Sequence, residues 1–298
     1  MRFTVIDIGS NTAKAEIYKY KNKKLQLCEK YIKRDMIADH KDGGVLDSDG
    51  INVLVNIMKD FRDICAKKGV DRVFPYATQS LRGISNADEV RAIIKEKTGL
   101  DVRIITGEEE ARLCYESFSA THKATDCMIS DMGGGSTEIS VISGGEPAGA
   151  VSLPFGSRSL THALGIGVMP DEDQEKAIRE TVAGHVNNAG IKNPGRVLFA
   201  CGGTSTGMFR LYNEINGKKE KKLRTEELIR FYEKCKSDPA FAEEKAREIL
   251  PERYDTVYTG LYAHICIARL TGCETVSGCK SSCRKGYAAK LIRDGRIE

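Results

Sequence analysis

No run of about eighteen apolar residues occurs anywhere in the 298-residue chain, so no membrane-spanning helix is expected. The first residues, MRFTVIDIGSNT, enter a strand directly and show no secretory leader pattern, which points to the cytoplasm. No CxxC pair occurs, although the chain holds ten cysteines. They are scattered, several in apolar surroundings, and read as buried reduced thiols. Cys273, Cys279 and Cys283 cluster, yet without the paired spacing of a zinc site they are read neither as metal ligands nor as a disulfide. No GxxxxGK[ST] P-loop is present. No strong charge imbalance exists either. With 46 Lys+Arg against 42 Asp+Glu the net charge is +4, which argues against generic nucleic-acid binding. Lysine runs at 21–24 and 218–222 read as solvated faces that can also guide a polyanion. A hydrophobic content of 41% and a charged content of 30% are those of a globular chain long enough for two domains.

The most informative segment present is SDMGGGSTE, Ser130 to Glu138. Glycines allow a tight turn that aims backbone N–H groups at an anion. Ser136 and Thr137 add hydroxyl donors, and Asp131 and Glu138 can hold a magnesium ion. An echo opens the chain in VIDIGSNT, where Asp7 precedes Gly9, Ser10, Asn11 and Thr12, matching Asp131 before Gly133, Gly134 and Gly135. Each copy follows an apolar strand and runs into a period-two alternation, Ala13–Tyr18 and Ile139–Ile142. That period predicts a β-hairpin around each turn, not the helix of a Rossmann site. Two such hairpins imply an internal duplication, with two related domains facing across a cleft. Asp7 itself reads either as a metal ligand or as a hydrogen-bonded strand end.

Helices are expected over 52–68, 87–98 and 171–189, and strands at Arg72–Tyr76, Val102–Ile105, Ala150–Leu153 and Val197–Ala200. Thr106 and Glu109 fit a capping box at the head of a helix whose inner face is Ala111, Cys114, Tyr115 and Phe118. Two of the three glutamates at 108–110 suit the positive helix end. Glu110 borders the apolar stripe, leans inward and is a candidate general base. Gly202, Gly203 and Thr204 follow a strand and open a helix, which makes an anion site. Residues 218–226 read as a polar loop, followed by a helical C-terminal stretch. The polar stretch 120–126 is the expected boundary, giving domains 1–122 and 123–298, with the last helix able to return to the first. Of the five histidines, those at 122, 162, 185 and 264 read as unconnected to the site.

In order along the chain, DIGSNT (7–12), ATQSLRGISN (77–86), ITGEEEARL (105–113), DMGGGSTE (131–138), SLPFGSRSLT (152–161), ACGGTSTG (200–207) and GCKSSCRKG (278–286) resemble the motif blocks of the exopolyphosphatase and guanosine pentaphosphate phosphatase (Ppx/GppA) family. The resemblance covers nearly the whole chain and is loosest in the last block. It implies an α/β fold of the actin-like ATPase (ASKHA) superfamily, two ribonuclease-H-like domains around a cleft. It implies magnesium-dependent hydrolysis of a terminal phosphoanhydride, with Glu110 as catalytic glutamate, Arg82 as the arginine on the transferring group, and Asp131 and Glu138 as metal-linked acids. The expected reaction is release of orthophosphate from inorganic polyphosphate. Alternatives are removal of the 5′-phosphate of guanosine pentaphosphate (pppGpp), a non-catalytic phosphate-chain or nucleotide sensor, and a small-molecule kinase. A homodimer is compatible with such a fold. Cys201 and Arg284 have no assigned role.

Overall fold

A computed structural model describes residues 1–34 and 37–298. The chain divides into two compact units: Met1–Leu113 with Cys283–Glu298, and Cys114–Ser282.

The first unit begins with a meander of β1 (Arg2–Ile8), β2 (Ala13–Lys21) and β3 (Lys24–Lys33). The β2–β3 turn places Asn22 and Lys23 at φ 53° and 58° within the first lysine run. A 3-10 turn (Ile37–His40) and the short ribbon β4 (Lys41–Asp42) and β5 (Val45–Leu46) lead to α1 (Ser48–Lys67). Asp47 caps α1 by accepting from the Gly50 N–H at 2.7 Å, so the helix starts ahead of its apolar stripe at Leu54, Ile57, Met58, Phe61 and Cys65. β6 (Arg72–Ala77), α2 (Ala87–Thr98) and β7 (Arg103–Ile104) follow. The sheet order is β3-β2-β1-β6-β7, with β1, β6 and β7 parallel. Ile6, Ile8, Leu54, Met58, Phe61, Val90 and Ile94 form its core.

Helix α3 (Gly107–Ser119) carries the chain from the first unit into the second. The division falls inside this helix, after Leu113, not in the polar stretch 120–126. The apolar residues of α3 explain it. Phe118 packs with Cys127, Ile129, Ile142 and Cys201 of the second unit, so the helix is already part of that core before the polar residues begin.

The second unit repeats the meander with β8 (Cys127–Met132), β9 (Thr137–Ser143) and β10 (Glu146–Leu153). After α4 (Ser157–Ala163) and α5 (Glu172–Asn188) comes β11 (Val197–Cys201), parallel to β8. It feeds α6 (Gly202–Asn216). The stretch 218–226, expected as loop, contains β12 (Lys222–Arg224), whose only buried residue, Leu223, holds it to the sheet. Helices α7 (Thr225–Lys236), α8 (Pro239–Ile249) and α9 (Val257–Leu270) precede β13 (Thr275–Gly278), a strand inside a stretch expected to be helical. The order is β10-β9-β8-β11-β13-β12. Its first five strands repeat the plan of the first sheet: an antiparallel meander whose oldest strand continues into two parallel neighbours. Helix α10 (Cys283–Arg293) ends the chain's regular structure within the first unit, against β1, with Tyr287 on Tyr76 at 4.8 Å between ring centroids.

All ten cysteines are free thiols. Among the described residues no helix is long and apolar enough to cross a membrane.

Candidate active site

The two glycine turns close in the same way. In the first unit the Gly9 N–H donates to Thr12 O at 3.1 Å; in the second, the Gly133 N–H donates to Ser136 O at 2.9 Å. Pairing across the strands sets Asp7 opposite Lys14 and Asp131 opposite Glu138. Each turn is therefore a hairpin tip, 9–12 and 133–136. This register corrects the reading of Thr137. It is the first residue of β9, fully buried, and its hydroxyl donates to Phe155 O at 2.7 Å, so it holds the chain and does not face a ligand. The same register exposes what the sequence comparison of the two copies missed. The place of Glu138 in one hairpin is taken by Lys14 in the other, so the first turn brings a cation where the second brings a carboxylate.

The N-terminus of α4 shapes the second turn. Ser157 N–H donates to Gly133 O at 3.0 Å and Ser159 N–H to Gly134 O at 2.8 Å. In a trans peptide the carbonyl and the next N–H point in opposite directions. The N–H groups of Gly134 and Gly135 therefore face away from α4, which is the orientation an anion needs. A Cβ at Gly156 would collide with Gly133 O and the Gly134 carbonyl, which is why a glycine stands there. In the first turn, Asn11 Oδ1 is buried without a hydrogen-bond partner among the described residues.

Asp131 and Glu138 are register partners on adjacent strands. Glu138 is buried and accepts from the Ser152 hydroxyl at 2.7 Å; Asp131 accepts from the Cys114 thiol at 3.4 Å. Among the described residues no group of three or more His, Cys, Asp and Glu side chains is set to hold a metal. Two hard carboxylates fit magnesium nevertheless, since that ion keeps several waters and takes the rest of its shell from substrate phosphates. Asp7 differs. Its Oδ2 accepts from Arg284 Nη1 at 2.7 Å, and Arg284 Nε lies 2.9 Å from Glu16 Oε1. Asp7, Glu16 and Arg284 are 15%, 5% and 12% exposed. Burial alone would raise Glu16, but Arg284, the 2.5 Å bond from the Tyr18 hydroxyl and Lys30 bring it below the usual carboxylate range. Arg284 thus has a place: it ties α10 to the first hairpin.

Gly202 has φ +82°, and a Cβ there would strike Asp131 Oδ1. Only glycine allows α6 to begin against that carboxylate. Thr204, in the first turn of α6, is buried, with its hydroxyl 3.3 Å from that of Ser157. The residue that sequence reading missed here is Arg253. A Cβ added at Gly203 would stand 3.0 and 3.1 Å from its two Nη atoms, so its guanidinium lies over the start of α6. Nothing in the spacing of LPERYDTV marks it, because it follows α8 and reaches α6 only through the fold.

Glu110 sits in the first turn of α3, where Thr106 caps the helix by accepting from the Glu109 N–H at 3.1 Å. Glu109's carboxylate is taken by Arg103 at 2.9 Å and Glu108's by Arg112. Glu110, 13% exposed, instead accepts from Arg82 Nη1 at 3.3 Å. Arg82 also donates to Ile105 O and to Gln79 Oε1. The segment bearing it hangs from the first hairpin: Ser80 Oγ and the Thr78 N–H both donate to Ile8 O. Lys41 Nζ donates to Gln79 O at 2.8 Å, and burial, aided by Arg82, lowers its pKa. Within the first unit, then, a carboxylate, a guanidinium and a glycine turn are linked through one short run of backbone.

The chain is similar to several known proteins. Exopolyphosphatase 1 of Mycobacterium bovis is 28% identical over 167 residues, 54% of this chain and 48% of that protein, so the matched part spans about half the length of the curated relative. The crystal structure of the Aquifex aeolicus Ppx/GppA family member has a TM-score of 0.83 at 23% identity, covering 100% of this chain and 99% of that one. An exopolyphosphatase from Cytophaga hutchinsonii gives 0.84 at 19% identity, covering 99% and 98%. The fold is thus the two-domain, actin-like ASKHA fold. The family model of the Ppx/GppA phosphatase family matches residues 17–291, and the chain belongs to that family.

Proposed function

We propose that the chain hydrolyses the terminal phosphoanhydride of inorganic polyphosphate and releases orthophosphate. The observation that carries this reading is the Arg82–Glu110 pair, mostly buried and strung on the backbone of the first glycine turn. Phosphoryl transfer to water requires positioning and charge stabilisation above all. In the first unit the backbone N–H groups and hydroxyls of residues 9–12, and in the second those of 133–136 with the N-terminus of α6 at Gly202, Gly203 and Thr204, are each equipped to bind phosphate oxygens. Arg82 exchanges its bond to Glu110 for one to the transferring group, where it stabilises developing charge. Glu110, released by that exchange, orients the attacking water and takes its proton. Lys14 and Arg253 add positive charge at the first turn and at α6. Magnesium, when bound, would neutralise phosphate oxygens, and Asp131 and Glu138 would hold it; Asp7, in the first unit, is instead engaged by Arg284. A surface depression at the C-terminal end of α6, lined by Arg210, Lys218, Lys219 and Lys221 with Glu214 and Glu220, is a basic face that can guide a polyanion.

The test is phosphate release from long-chain polyphosphate with magnesium, beside pppGpp and beside Glu110→Gln. Release from polyphosphate that falls about 10²–10⁴-fold in the variant, with substrate binding kept, supports the proposal. Preference for pppGpp would move the substrate to the nucleotide. Unchanged turnover in Glu110→Gln would remove Glu110 from the mechanism, and binding without turnover in the parent protein would favour a sensor.

A further inference from the structure

Cys201 is the last residue of β11, and Cys279 directly follows β13. The two strands are parallel neighbours, paired from Val197 with Thr275 to Ala200 with Gly278. The next pair in that register is Cys201 and Cys279. The ladder continues to it, because the Cys279 N–H donates to Ala200 O at 2.9 Å. Register partners on neighbouring strands turn their side chains to the same face of the sheet. Accordingly, Cys201 belongs to the cluster of Phe118, Cys127, Ile129 and Ile142, and Cys279 packs against it. Neighbouring strands stand about 4.8 Å apart, inside the range of about 4.4–6.8 Å between Cα atoms that a disulfide bridges. A bond between these two sulfurs therefore requires side-chain rotation and little movement of the strands.

The two thiols are unequal. Cys201 is fully buried, whereas Cys279 is partly exposed. Cys279 Sγ accepts the Ser281 N–H at 3.3 Å and lies 3.1 Å from the Ser281 hydroxyl. Hydrogen bonding from Cys201, then from Ser281, with His122 nearby, brings the Cys279 thiol down to about 6. Thiolate character and access make Cys279 the sulfur that reacts first, and a buried neighbour is placed to resolve the product.

We infer that Cys201 and Cys279 form a dithiol site that hydroperoxides oxidise to an intramolecular disulfide. The Cys279 sulfur attacks one peroxide oxygen. The O–O bond breaks, a sulfenic acid forms, and the second oxygen leaves as water or an alcohol. The Cys201 sulfur then attacks that of Cys279; the S–S bond forms, the S–O bond breaks, and hydroxide leaves as water with the Cys201 proton. The two thiols lose two electrons and the peroxide gains them. The new bond would join the N-cap of α6 to the segment after β13.

The experiment uses the full chain, reduced and then treated with stoichiometric hydrogen peroxide, digested without reductant and read by mass spectrometry. The expected result is a linked pair of peptides carrying Cys201 and Cys279, with a mass loss of about 2 Da that dithiothreitol reverses. Cys279→Ser, the more exposed position, should abolish the link. Cys201→Ser should leave a sulfenic acid at Cys279 that dimedone traps. A link preferring other cysteines, Cys127 included, or oxidation of Cys279 to sulfinic acid with Cys201 left reduced, would overturn the inference. The readout is mass and not phosphate release, so it stands apart from the proposed hydrolysis.

Discussion

At the scale of single residues, Gly202 and Asp131 give the sharpest expectations. Gly202 combines a positive φ with a position where an added Cβ would strike Asp131 Oδ1. Gly202→Ala should displace that carboxylate and lower phosphate release at least tenfold, while the melting temperature falls by only a few degrees, as about 1 kcal/mol of backbone strain would give in a chain of this kind. Steady-state kinetics beside a thermal melt checks both. Asp131→Asn should raise the magnesium concentration for half-maximal activity by about tenfold or more and leave the fold unchanged; an unaltered magnesium titration would remove Asp131 from the metal. Asp131 stood out in the sequence because a glycine run follows it, and Gly202 because a glycine pair opens a helix after a strand. Thr137 stood out for a role its buried hydroxyl does not serve, and Lys14 and Arg253 did not stand out at all. Whether a strand residue points outward or inward depends on the register, and the hairpin tip was one residue shorter than the motif suggested. Arg253 meets Gly203 only after three helices have folded back, and no local pattern encodes that contact.

Secondary elements show which signals are local and which are tertiary. α1 and α2 were legible from the helical spacing of their apolar residues, and α5 was expected as a helix over 171–189. β3 was not, since exposed residues such as Leu27 and Ile32 leave no alternation on an edge strand. β12 and β13 were hidden for a related reason, each being short and held by Leu223 or Val276 alone at its core. The decisive element is α10. Its Arg284 offsets the buried charges of both Asp7 and Glu16. Arg284→Ala should destabilise the first unit by about 3–5 kcal/mol, the usual cost of stranding a buried ion-pair partner, and Glu16→Gln in the same chain should restore part of it. The sign with pH follows from the lowered pKa of Glu16. Its stabilisation is complete above the unfolded carboxylate value of about 4.3 and is lost as pH falls through the lower folded value. Thermal melts from pH 7 to pH 3 should decline below about pH 4, and less steeply in Glu16→Gln; identical slopes would show that the Arg284 cluster does not govern acid stability.

For the whole molecule, the repeated strand plan was readable from two similar hairpins, whereas the dividing point was not. A polar stretch after a helix looks like a linker, yet here the helix itself crosses, and its apolar residues decide where each core begins. The second unit is one unbroken stretch, Cys114–Ser282, while the first is assembled from two. A fragment spanning 107–282, which keeps α3 whole, should fold cooperatively by circular dichroism and calorimetry. A fragment spanning 1–113 should not, unless residues 283–298 are supplied as a peptide. Independent cooperative melting of 1–113 would show that α10 is dispensable. Synthesis on the ribosome gives this arrangement a direction in time. Residues 283–298 emerge only after the entire second unit, and until they do, the hairpin bearing Asp7 and Glu16 has no Arg284 to neutralise it. The unit made later is thus the first able to finish, and the strands made first wait longest, exposed to chaperones and proteases, for the helix that closes them.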